Sequence, residues 1–315
     1  MRYICEARMA GGLMCQEPWI ITVQKQKETA GNRRRKECRM SSEQFLNREN
    51  VLFTVAMIGY LAAMVLYWLF FVLKKNMVGK SADCFAAAAF LLHTGALVTR
   101  GIGAGRLPLS NQYEFATSFA WGICACYLFF LWKYKFRALG AFVMPVIFLV
   151  IGYAAMQSKE VRELMPALRS HWLAIHVSSA IISYGAFGVS FAVSLMFLIR
   201  QGKEDSPFWQ EHIPDGKRLD LISYRAVSLG FLFLTFVMIS GAIWAEGAWG
   251  SYWSWDPKET WSLITWIIYA IYLHLRISRG WKGKSAALFA VIGFICVIFT
   301  YIGVNTFLPG IHSYA

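Results

Sequence analysis

About eight apolar runs, each long enough to cross a bilayer, constrain this 315-residue chain more than any other feature. They fall at roughly 51–73, 82–100, 114–132, 138–156, 173–199, 226–246, 259–276 and 285–305. A segment in lipid must satisfy its own backbone hydrogen bonds, and an uninterrupted apolar run of this length does so as an α-helix. Composition agrees with that reading. The chain is 57% hydrophobic and only 16% charged, where soluble domains carry about 25% charge. The expected fold class is therefore all-α, a polytopic membrane bundle of about eight helices. The expected division is an N-terminal extension over 1–49, disordered or preceding the true start, and a membrane domain over 50–315.

A formal net charge of +13 would suit nucleic acid if it formed one patch, but it is spread through short loops between the apolar runs. Loops after the first, third, fifth and seventh runs hold fourteen Lys and Arg, and the alternate loops hold six. The positive-inside rule sends the first set to the cytoplasm. Loops 101–113, 157–172 and 247–258, with the C-terminal tail 306–315, are then expected outside. The same alternation puts the N-terminus outside, against its ten basic residues up to Arg48. Residues 1–39 lack the layout of a signal peptide, and translation starting at Met40 would remove the conflict.

The seven cysteines show neither a disulfide framework nor zinc spacing. Cys124 and Cys126 read as buried thiols within an apolar run. No C-x-x-C-H occurs, so the chain is not itself a c-type cytochrome.

Residues 244–266 read WAEGAWGSYWSWDPKETWSLITW, with tryptophans at 244, 249, 253, 255, 261 and 266. Any one of these could be an ordinary interfacial tryptophan. Six in so short a stretch suit a shelf for a large flat ligand, because indole faces stack on extended π surfaces. Asp256-Pro257-Lys258-Glu259 reads as a capping box opening the seventh helix, which makes Asp256 and Glu259 scaffold as much as site. Lys258 could pair with an anionic group or sit in solvent.

The six histidines separate by depth. His212 belongs to a polar loop. His93 lies midway along the second run, where a hydrogen-bonded packing role is favoured over a functional one. His274 follows Asp256 by 18 positions, a helical rise of about 27 Å. It therefore cannot serve a site at the Trp loop and would belong to a second one on the cytoplasmic side. His171, His176 and His312 lie at the outer side. Two neutral imidazoles on opposite faces of an iron make a six-coordinate haem. His171 and His176 are about 140° apart on a helix, too far to share one metal, and spacing alone does not choose between them.

Residues 249–261, W-G-S-Y-W-S-W-D-P-K-E-T-W, closely resemble the WWD signature of haem-handling proteins in cytochrome c biogenesis. The D-P-K-E-T-W ending, I-Y-L-H at 271–274, W-L-x-x-H-V at 172–177 and G-x-H-S-Y at 310–314 resemble the CcsA type of System II. System I members usually lack that ending and match less well. The likeness covers most of 50–315. It implies axial haem ligands at His176 and His312, choosing His176 over His171, and an inner haem site at His274. It also implies a haem b surface including Trp249, Trp253, Trp255 and Asp256. The resemblance further implies a split synthase in which this subunit works with a ResB-type partner. Haem b, as substrate and bound ligand, would be delivered to the C-x-x-C-H of apocytochrome c and attached covalently, with thiol reductant proteins in attendance and no nucleic acid. The implied location is the bacterial plasma membrane, with the WWD loop and C-terminus outside. Two other readings are a haem exporter that forms no bond and a bis-His electron-transfer membrane cytochrome. The latter usually carries paired histidines within its spans, where only His93 and His274 lie here.

Overall fold

A computed structural model describes residues 4–5, 15–16, 18–161, 164–203, 205–308 and 310. Apart from a two-residue ladder pairing Ile4–Cys5 with Cys15–Gln16, the described chain is helix and connecting loop. The helices are α1 (Pro18–Leu73), α2 (Asn76–Ala104), α3 (Gln112–Tyr134), α4 (Gly140–Met156), α5 (His171–Arg200), α6 (Pro207–His212), α7 (Gly216–Trp249), α8 (Pro257–Arg279), α9 (Lys284–Ile298) and α10 (Val304–Phe307). A π turn over Phe299–Gly303 joins the last two into one rod. All eight apolar runs lie on helices, and the protein is a multi-pass helical membrane protein. Among the described residues, seven helical segments have both the length and the hydropathy of a span. The exception is α8, which has 23 residues but more polar ones, and buries only Thr265, Tyr269 and Tyr272. The short α6 carries no apolar run of its own.

Helix α5 is the axis of the bundle. It packs along α7 and is flanked by α3, α4 and α9, while α1 and α2 pair at one side. Its sequence explains the position. Ser179, Ala180, Ser183, Gly185, Ala186, Gly188, Ser190, Ala192 and Ser194 leave a narrow helix, and small residues let membrane helices approach closely where no hydrophobic effect drives them together. Gly185 meets Gly122 of α3, where an added Cβ would lie 2.5 Å from the Gly122 carbonyl oxygen. Across α5, Phe187 lies face to face with Tyr269 of α8 at 3.7 Å between ring centres. The Ser183 hydroxyl donates to the Gly230 carbonyl of α7 at 2.8 Å.

Loops 105–111, 157–170 and 250–256 gather at one end of the bundle, and a buried charge network holds the first two together. Arg100 donates through Nε to Glu114 Oε1 (3.1 Å) and through Nη1 to the Lys159 carbonyl (2.8 Å). Glu114 Oε2 accepts from Arg106 (2.7 Å) and from the Ser110 backbone N–H (2.9 Å). Tyr113 donates to Glu49, whose other oxygen is 3.8 Å from Arg100. Buried charges are tolerable only when paired and hydrogen-bonded in this way. At the opposite end, Arg276 grips Asp220 through two hydrogen bonds of 2.9 and 2.5 Å. Midway between, His93 is fully buried and its Nδ1 lies 3.2 Å from the Tyr60 hydroxyl. That contact suits a packing histidine.

Candidate ligand-binding cavity

The end that carries the Trp loop opens into a cavity whose empty space, counting its mouth, is about 1190 Å³. Six parts of the chain line it: the 109–115 turn into α3, Leu168 of the 157–170 loop, the first half of α5, the second half of α7, the start of α8 with the preceding loop, and residues 300–305.

Among the described residues, His176 is the imidazole on this cavity. Its Nδ1 lies 2.9 Å from the Val237 carbonyl of α7. A carbonyl can only accept, so Nδ1 carries the proton and Nε2 carries the lone pair of the neutral ring. This is how histidines that bind metal through Nε2 are usually oriented, with the other nitrogen donating to a backbone oxygen. The ring lies nearly parallel to Trp244, 6.1 Å between centres. It fits because position 241 has no side chain: a Cβ there would lie 2.8 Å from the imidazole. His171, five residues earlier, is exposed at the first turn of α5 and lies outside the lining.

The six tryptophans divide sharply. Trp244 (3% exposed) and Trp253 line the cavity. The Trp253 indole N–H is buried with no acceptor among the described residues. Trp249 packs behind Trp244 at 4.8 Å. Trp255 is 69% exposed, has φ +57°, and turns its edge to Trp253 at 5.7 Å. Trp261 rests on Phe299 (4.3 Å), and Trp266 packs on Phe231 and donates to the Thr235 hydroxyl (3.0 Å). The last two are packing residues.

Asp256 caps α8 in a capping box. Its carboxylate accepts from the Lys258 backbone N–H at 3.0 Å, and Glu259 reaches back to the Asp256 N–H at 3.3 Å. Glu259 also accepts from the backbone and hydroxyl of Ser254 (2.8 and 3.1 Å), which ties the Trp loop to the helix. The expected scaffold role is the geometry found. Lys258, in that first turn ahead of the apolar stretch, turns into the cavity and donates to Asn305 Oδ1 at 3.2 Å. Burial pushes its ammonium down to about 8, with Asp256 pulling in the other direction.

His274 lies far along α8, exposed on its outer side near the opposite end. His312 falls outside the described residues. Two residues before it in sequence, Gly310 lies so close to α8 that a Cβ would meet Asp256 Oδ1 at 2.4 Å. Trp244, Tyr252 and Asn305 line the cavity but are not among the site residues the resemblance implies, although Trp244 and Tyr252 fall within the Trp-rich stretch 244–266. Asn305 alone of the three has no local signal, because it reaches the cavity from the far end of the following helix.

Fold and cavity together define a polytopic helical membrane protein with an aromatic, histidine-bearing pocket at one end. The profile of the cytochrome C assembly protein family matches residues 109–312. A cytochrome c biogenesis protein CcsA of Chlamydomonas reinhardtii is 42% identical, over 69% of this chain and 64% of its own length. The CcsA proteins of Trieres chinensis and Gloeobacter violaceus are 38% and 34% identical, over 81% and 87% of this chain and 93% and 98% of their own. A solved structure, cytochrome c heme lyase CcmF, shares the fold with TM-score 0.65 at 16% identity, over 82% of this chain and 46% of that one. This chain thus spans under two thirds of the Chlamydomonas relative and under half of the solved one. It belongs to the cytochrome c assembly family and, within it, to the CcsA type.

Proposed function

We propose that this protein delivers haem b to the outer face of the membrane and joins it covalently to apocytochrome c, as the haem-handling subunit of a System II synthase. The observation that carries this reading is His176, an imidazole on an aromatic cavity, oriented by Nδ1–H on the Val237 carbonyl. His312 supplies the second axial ligand, and the approach of Gly310 to Asp256 supports its nearness to the same mouth. Trp253, Trp249, Trp255 and Asp256 form and brace the surface beside the ring.

Within that site the chain's work is positioning and ligation, while the porphyrin supplies the reactive vinyls. The histidine of an incoming C-x-x-C-H segment replaces one axial imidazole. Each cysteine thiol then adds across a vinyl double bond: a carbon–sulfur bond forms, the thiol proton goes to the neighbouring carbon, and no net electrons move. Thiol reductant proteins keep the sulfurs reduced. A ResB-type partner completes an inner haem site at His274, whose exposure on α8 leaves it open to a ligand from another chain. The basic loops face the cytoplasm of a bacterial plasma membrane, and the cavity faces out.

Co-expression with the ResB-type partner and an apocytochrome tests the reading by scoring covalent haem attachment. The purified complex is expected to show a six-coordinate, low-spin haem spectrum, and His176→Ala or His312→Ala to loosen that haem and abolish attachment. Full attachment in both variants would sink the ligand assignment. Haem export without attachment would make the protein a transporter.

A further inference from the structure

Lys258 is the one Lys or Arg among the described residues lining the cavity. The surrounding wall is aromatic, aliphatic, amide and hydroxyl, and the other charged lining group, Glu259, is taken up by Ser254 and Asp256. Among the described residues no carboxylate lies within ion-pair distance of the Lys258 ammonium; its hydrogen bond goes to a neutral carboxamide, Asn305. An ammonium partly withdrawn from water, with Asp256 near it but only an amide in contact, is a costly arrangement, and the cost is relieved when a bound anion completes it. The capping box holds Lys258 in place on a rigid first turn, and Asn305 reaches it from a segment 47 residues later. With Asn305 Oδ1 accepting from Lys258, the carboxamide NH₂ becomes a second donor beside the ammonium. Two such donors match the two oxygens of one carboxylate.

We infer that Lys258 and Asn305 form a carboxylate anchor, which holds a propionate of the porphyrin and so sets how the macrocycle is turned on the aromatic wall. The anchor rests on the haem reading and adds to it. His176 fixes where the iron sits, but a ring held at its iron alone can spin about the axial bond. A propionate on Lys258 removes that freedom and leaves a defined edge, with its vinyls, to face an incoming cysteine pair.

Haemin and haemin dimethyl ester separate the two ideas, because they share iron, ring and vinyls and differ only in the two carboxylates. Each is titrated into the haem-stripped complex of the full chain with its partner, by visible spectrum. The wild-type complex is expected to bind haemin about tenfold or more tightly than the ester, the range of one charge-assisted hydrogen bond lost. Lys258→Met should lower haemin affinity by that factor and leave the ester's within about twofold; Lys258→Arg should restore most of the preference. Asn305→Leu should give a smaller loss confined to haemin. Equal affinity of the wild type for both compounds, or an equal loss for both in Lys258→Met, overturns the anchor while the haem site survives. Binding of neither compound by the wild type overturns the haem reading itself. Unchanged haemin binding by Lys258→Met, with loss of a co-purifying anionic lipid, assigns the cation to a lipid phosphate and also overturns the anchor.

Discussion

At the scale of single residues, the site depends on a missing methyl group and on one proton. His176 occupies the space a Cβ at position 241 would need, 2.8 Å from its ring. Gly241→Ala must therefore push the imidazole off Val237 or push α7 away from α5, an overpacking strain of about 1–3 kcal/mol. The expected result is a lower melting temperature in detergent and a haem spectrum shifted towards high spin; an unchanged low-spin spectrum would show that the ring has room to spare. The proton is on Lys258, whose ammonium burial lowers to about 8. A ligand carboxylate beside it favours the charged form, so binding takes up a proton once the free amine has begun to lose it. Haemin affinity should be level below pH 8 and fall as pH rises above it, by at most about tenfold per unit. Glu259, His176, Tyr184, Tyr252 and Tyr301 share this cavity, and Asp256 lies beside it at the cap of α8. Lys258→Met isolates the lysine from them, and the fall should vanish in that variant.

At the scale of elements, the start of α8 does two tasks with one piece of local chemistry. The same four residues that stop the Trp loop and begin the helix also aim Lys258 into the cavity. If Asp256 acts through its cap, its acceptor oxygen matters more than its charge. Asp256→Asn keeps an acceptor and should cost a few tenths of a kcal/mol, whereas Asp256→Ala should cost about 0.5–2 kcal/mol of stability. Thermal denaturation of the two variants reads the difference. Equal large losses would point to the charge, for instance towards the segment at Gly310 that crosses it. This element is legible along the chain, since the capping box is a pattern of four adjacent residues. The shelf is legible only in part. Six tryptophans mark the region, but α7 and α8 present their indoles to different neighbours, and two of the six merely pack against Phe299 and Phe231.

At the scale of the whole molecule, the protein has two unlike ends. One gathers loops 105–111, 157–170 and 250–256 over the cavity; the other carries the Arg276–Asp220 pair and, on the outer side of α8, His274. The count of basic residues predicts which end faces out. In a cysteine-depleted background, Ser251→Cys should react with an impermeant maleimide added outside the cells, and Gly202→Cys only after permeabilisation. The reverse pattern would invert the topology and put the cavity on the cytoplasmic side.

Length and apolarity are local properties of a chain, so the spans, the alternation of loops and the cap of α8 follow from the order of residues. That order also places a cluster of indoles beside two candidate histidines, His171 and His176, five residues apart. Which histidine meets the cavity depends on how α5 is rotated against α7, and that rotation comes from the packing of small residues along α5 and from the absence of a side chain at Gly241. The pairing of Lys258 with Asn305 likewise needs α8 and the end of the α9–α10 rod to meet. No periodicity within either segment encodes that distance, because it is set by how these two consecutive helices pack side by side, and it exists only once the bundle has packed.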